Sequence, residues 1–177
     1  MTPERRAEIV KILESSAAAF HSSVTATPEE HARVRPAADR WSVLEIAEHV
    51  VLAEHGMFRL LSAAVPVEAS LENPARETAI TTAIMLRATP APAPERVKPT
   101  GRFADLAQAL QQFAAARAKT IQFATETELD LFRLSAPHPL FGPVNGYEFL
   151  LIMAGHPHRH ILQIAETKSS LASRELL

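Results

Sequence analysis

The stretch Trp41-Ser42-Val43-Leu44-Glu45-Ile46-Ala47-Glu48-His49-Val50-Val51-Leu52-Ala53 decides the fold. Ser42 and Glu45 form a Ser-x-x-Glu box, in which each side chain takes up an orphan backbone N–H at a helix start. Trp41 stands just before the cap, where an apolar residue staples the helix entry, and it reads as a packing residue. Ile46, Val50, Ala53, Met57, Leu60 and Leu61 then recur at helical spacing and carry the helix to about Ala64, just before Pro66. His49 falls midway along that apolar series.

The same grammar extends in both directions. Towards the N-terminus a first helix runs from about Pro3, a residue suited to the first helical position, to Ser22. Ile9, Ile12, Leu13 and Phe20 form its apolar stripe. Towards the C-terminus residues 66–100 are less regular. A short helix is expected over Ala75 to Ala88, and Pro90, Pro92, Pro94 and Pro99 enforce an extended connector. A third helix spans about Phe103 to Thr125, with Phe103, Leu106, Leu110, Phe113, Arg117 and Ile121 at helical spacing. A loop containing His138-Pro139-Leu140-Phe141-Gly142-Pro143 follows. The fourth helix starts near Asn145, where Asn145 and Glu148 repeat the capping pattern, and runs to about Ala172.

Only five glycines occur, and alternating apolar and polar runs are nearly absent, so the chain reads as all-α. The expected architecture is a single domain over residues 1–177. It is an antiparallel four-helix bundle, up-down-down-up, with a long crossover between the second and third helices. A chain of 177 residues with 47% apolar and 21% charged residues has enough material for one core. Its net charge of −2 gives no reason to expect nucleic acid as a partner. No apolar run is long enough to span a bilayer and no signal-peptide core precedes the first helix, so a cytoplasmic protein is expected. The absence of cysteine excludes disulfides, thiolate metal ligands and a cysteine nucleophile.

Chemistry concentrates in the histidines. There are eight, and His156, His158 and His160 lie within five residues. At a separation of four, His156 and His160 share one helix face, one turn apart, a spacing that suits two imidazoles on one ion. A third ligand must come from another element, and His49 is the candidate, since bundle cores build such sites from facing helices. His55 and His158 lie on other faces of their helices. The alternative for His49 is a hydrogen-bonded core histidine. Pro157 leaves two outcomes open: the helix bends through it, or it breaks and restarts there, in which case His156 leaves the face of His160. Gln163, one turn beyond His160, is placed either to orient that ring or to face solvent. Glu45 belongs to the cap, and Arg159 reads as an ion-pairing surface residue.

Trp41-Ser42-x-x-Glu45-Ile46-x-x-His49 resembles the second-helix motif of the DinB/YfiT-like (DinB_2-type) superfamily, which is associated with metal-dependent enzymes. Gly155-His156-x-x-Arg159-His160-x-x-Gln163-Ile164 resembles its fourth-helix motif. Pro99-x-Gly101 and His138-Pro139-x-Phe141-Gly142 also match, so the resemblance covers about Trp41 to Ala165. Pro157 departs from the usual residue between the histidines. The resemblance implies a bundle with a three-histidine site for a divalent metal, usually zinc or nickel, and assigns the ligand role to His49, His156 and His160. It further implies a small-molecule substrate, a homodimer, and relatives that are transferases using low-molecular-weight thiols. Three protein ligands leave a position for water or thiol, so hydrolysis is the alternative chemistry, and a non-catalytic metal-binding or stress-related bundle is the second alternative. The sequence presents no obvious general base and no assignable catalytic residue beyond the ligands.

Overall fold

The computed structural model describes residues 1–86 and 92–175. Within them the chain forms α1 (Pro3–Thr25), α2 (Val43–Ser62), β1 (Val65–Pro66), α3 (Pro74–Met85), α4 (Leu106–Glu126), β2 (Leu134–His138), β3 (Gly142–Asn145) and α5 (Gly146–Glu175). Each long helix begins where a short polar side chain captures an orphan N–H. Thr2 accepts from the Arg5 amide, Asp105 from Gln108, and Ser42 from Glu45. The Ser42 box closes reciprocally, its own amide donating to Glu45 at 2.9 Å. The Asn145–Glu148 pair is likewise reciprocal, at 2.9 and 2.8 Å. Caps of this kind are each worth about 1 kcal/mol.

Helices α1, α2, α4 and α5 make the bundle. α1 packs on α4 and α5, and α2 packs on the same two, so α1 and α2 face each other only across the diagonal. Directions follow from cross-helix bonds. Arg6 near the start of α1 reaches the Ala124 and Thr127 carbonyls at the end of α4, which makes that pair antiparallel. Tyr147 bonds Glu8 and Lys168 bonds Ala26, so α1 and α5 run parallel. Glu54 pairs with Arg117 while Phe58 meets Phe123, so α2 and α4 are also parallel. The order is therefore up-down-down-up, as expected.

Two parallel neighbours joined in sequence need a return path. The segment after α2 supplies it: α3 lies against α5, and a 3-10 turn at Glu95–Val97 passes over α2 before α4 begins. The expected short helix is α3, and the portion of the expected helix and proline connector at residues 87–91, including Ala88 and Pro90, lies outside the described residues.

The loop expected before the fourth helix instead carries a hairpin. β2 pairs antiparallel with β3, with Ser135 opposite Asn145 and His138 opposite Gly142, and β1 adds a third strand through Val65 opposite Ser135. Gly142 turns this hairpin with φ of 66°. The apolar interior divides into two clusters. One lies towards the sheet and includes Ile9, Leu13, Leu61, Phe132, Val144 and Phe149. The other lies towards the start of α2 and includes Phe20, Val43, Ile46, Val50, Phe113 and Ile164. Arg117 and Glu54, each 1% exposed, lie deep within this interior and pair with one another.

Candidate metal centre

His49 sits on the inward face of α2, and the capping box at Ser42 sets the start from which that face is counted. His160 is on α5, opposite it, and both are buried, while His156 is half-buried. The three rings cluster: centroids are 5.3 Å apart for His49 and His156, 4.7 Å for His49 and His160, and 4.5 Å for His156 and His160. Among the described residues, these are the one group of three or more histidine, aspartate or glutamate side chains whose ligand atoms all lie within 4.8 Å of one another. α5 continues through Pro157 without breaking, so His156 keeps the face of His160.

The ring nitrogens are sorted by their partners. His49 donates from Nδ1 to the Val97 carbonyl at 2.8 Å. His160 donates from Nδ1 to Gln163 Oε1 at 2.9 Å, which settles the two placements open for Gln163. In both rings Nε2 is left with its lone pair. His160 Nε2 and His156 Nε2 lie 3.2 Å apart. Two nitrogens bound tetrahedrally to one zinc ion at ~2.0–2.1 Å stand about 3.3 Å apart, so this spacing fits a shared ion. Burial lowers the His49 pKa, and burial followed by the charges of His160, His49, Arg117 and Arg159 lowers that of His156 well below the ordinary value. Both rings are therefore neutral at physiological pH, which is the form that ligates metal. Without a cation, one of the Nε2 atoms of His156 and His160 carries a proton and donates it to the other, and His156 Nδ1 is left buried with no hydrogen-bond partner. Three imidazole nitrogen donors gathered this closely fit a divalent metal ion.

Behind His49 stands a support that the sequence reading overlooked. Glu48, 1% exposed, accepts the backbone N–H groups of Thr100 at 2.7 Å, Gly101 at 2.9 Å and Arg102 at 3.1 Å. Gly101 has φ of 80°, a left-handed conformation that glycine adopts without strain. That turn fixes the segment bearing Val97, and Val97 orients His49. The Pro99-x-Gly101 signature was visible in sequence, but its carboxylate partner lies some fifty residues upstream and carries no local mark. Trp41 packs its ring 5.0 Å from that of His49, consistent with a packing role. Glu45 completes the cap and also pairs with Arg35. Arg159 donates to the Leu86 carbonyl at 3.3 Å, and His55 is exposed, away from the cluster.

The sequence pattern of the DinB superfamily matches residues 12–164. The chain belongs to the DinB superfamily. Among solved structures, YfiT from Bacillus subtilis, described as "a probable metal-dependent hydrolase with an unusual four-helix bundle topology", is similar, with a TM-score of 0.61 at 14% identity. The alignment covers 97% of this chain and 90% of that one. At that identity the likeness speaks for the fold. No curated protein matches the sequence. Among the described residues, no helix of this DinB-superfamily chain is long and apolar enough to cross a membrane.

Proposed function

We propose that this DinB-superfamily protein is a metal-dependent enzyme acting on a small molecule, with His49, His156 and His160 as the ligands of one divalent cation. The observation that carries the reading is the convergence of three imidazoles from two helices, two of them held by Nδ1 hydrogen bonds to Val97 and Gln163. Imidazole sets of this kind suit zinc or nickel. A divalent cation held there supplies Lewis acidity, which lowers the pKa of a water or thiol in the remaining position. The protein's own residues do the rest: Val97 and Gln163 fix ring orientation, Glu48 stiffens the segment bearing Val97, and Trp41 packs beside His49.

Hydrolysis is supported by the description of YfiT, and transfer of a low-molecular-weight thiol by the motif resemblance. A homodimer is part of the same proposal. Metal analysis after chelator-free purification tests the core of it. About one divalent ion per chain is expected, lost in His49→Ala and in His160→Ala. A protein that purifies without stoichiometric metal and takes up neither added zinc nor added nickel overturns the reading. A panel of ester and amide substrates, run with and without added thiol, separates the two chemistries.

A further inference from the structure

In an uninterrupted α-helix the carbonyl of Met153 would accept the N–H of the residue four places on. That residue is Pro157, which has none, and the helix nevertheless continues. The missing donor is replaced from another helix. Arg117 on α4 donates from Nη2 to the Met153 carbonyl at 2.8 Å. The same guanidinium donates from Nε to Glu54 Oε1 at 2.8 Å and from Nη2 to Glu54 Oε2 at 2.9 Å. Its Nη1 donates to the Leu13 carbonyl at 3.1 Å and to Ser16 Oγ at 2.8 Å. A guanidinium has five N–H groups, and these five bonds use them all. One buried side chain thus bonds to each of the other three bundle helices.

The position of the repaired carbonyl gives this network its meaning. Met153 is three residues before His156, on the turn that presents His156 to His160, and Glu54 is five residues after His49 on α2. An ion pair serving stability alone has no need to reach a helix carbonyl, and apolar side chains of similar volume often replace such pairs without loss. Within the body of α5, a carbonyl stripped of its helical donor by proline requires an outside partner.

We infer that Arg117 is a positioning residue for the three-histidine cluster: it supplies the donor that Pro157 withholds from Met153 and so holds the turn of α5 that carries His156. This inference rests on the proposed metal site for its functional meaning, and its structural content stands apart from that reading.

The test uses rescue. Glu54→Leu/Arg117→Met removes both charges together, so neither is left buried alone. Adding Pro157→Ala returns an N–H to Met153. Cobalt(II) binding, followed by visible absorption, is expected to weaken about 10- to 100-fold in the double variant, the loss typical when an outer support of a metal ligand is removed. It is expected to recover in the triple variant, and Pro157→Ala alone leaves affinity within about threefold of the parent. Unchanged affinity in a folded double variant, or no recovery in the triple variant, overturns the inference. If the double variant does not fold, Arg117→Lys takes its place. It keeps Glu54 paired, lacks the fork that reaches Met153 as well, and is expected to show the same loss and the same recovery with Pro157→Ala.

Should the parent protein bind no metal, the proposed function fails while the inference is still decided. Imidazole 1H–15N spectra of the metal-free proteins then provide the readout. The Nε2 resonances of His156 and His160 are expected to move in the Arg117 variant and return on adding Pro157→Ala. Spectra that do not move overturn it.

Discussion

Glu48 and His49 are adjacent in the chain and divide the work of one site between them. The carboxylate gathers three amides of the Thr100–Arg102 turn, and the imidazole bonds the Val97 carbonyl just upstream. Glu48→Gln keeps one acceptor oxygen but places an amide donor against backbone N–H groups. We expect it to lower stability by about 1–3 kcal/mol, the cost of leaving buried groups unpaired, as measured by urea unfolding. A second residue-scale consequence concerns His138. Burial first, and then the charge of Arg96, lower its pKa from 6.5 to about 4. Its Nδ1 accepts the Leu140 amide at 3.3 Å, and its ring stacks on Phe141. Because the folded state holds this proton less tightly than the unfolded chain, the unfolded state gains protons first as pH falls. The stability His138 contributes is therefore complete above pH 6.5 and declines as pH drops towards about 4. Thermal melts of the metal-free protein across that window are expected to show the decline, which the lowered pKa values of His49 and His156 reinforce, and His138→Phe is expected to make it shallower.

At the scale of elements, α3 and α5 meet at Gly155. A Cβ added there would stand 2.8 Å from Ile84 Cγ2, closer than packed side chains tolerate. Gly155→Ala is expected to push α3 from α5 at a cost of about 1–3 kcal/mol. Coupling it with Ile84→Ala is expected to cost less than the two losses added, by the same denaturation measurement. The helices themselves were legible in the sequence because caps and 3.6-residue periodicity are local signals, as at Ser42–Glu45 and Asn145–Glu148. The sheet was not. β2 and β3 are five and four residues long, each holds a proline, Pro137 and Pro143, and β1 joins from some seventy residues away. The three histidines that cluster were legible through their spacing and flanking motifs. Their supports were legible only in part: Gln163 lies one turn from His160, whereas Val97, Glu48 and Arg117 act across distances that periodicity does not encode. Arg117 sat in the apolar stripe of its helix as an anomaly, and only packing against Glu54 and Met153 explains it.

At the scale of the molecule, the three histidines tie α2 to α5, two antiparallel neighbours with a long intervening crossover. A ligand that binds only this folded arrangement stabilises it by mass action. Zinc at about 100 times its dissociation constant is expected to add ~2.7 kcal/mol, or about 5–10 °C in melting temperature for a chain of this size. A chelator is expected to reverse the gain, and His49→Ala to abolish it, both read by thermal melting.

The diagonal placement of α1 and α2 also sets an order of assembly during synthesis. The first two of the four bundle helices to be made do not pack against one another, and each must wait for α4 and α5. Gln163, the last of the residues that hold the imidazole cluster, emerges with α5, after the other three bundle helices. A nascent polypeptide halted before α5 thus carries His49 without His156 and His160, so the three imidazoles meet only once α5 has been made.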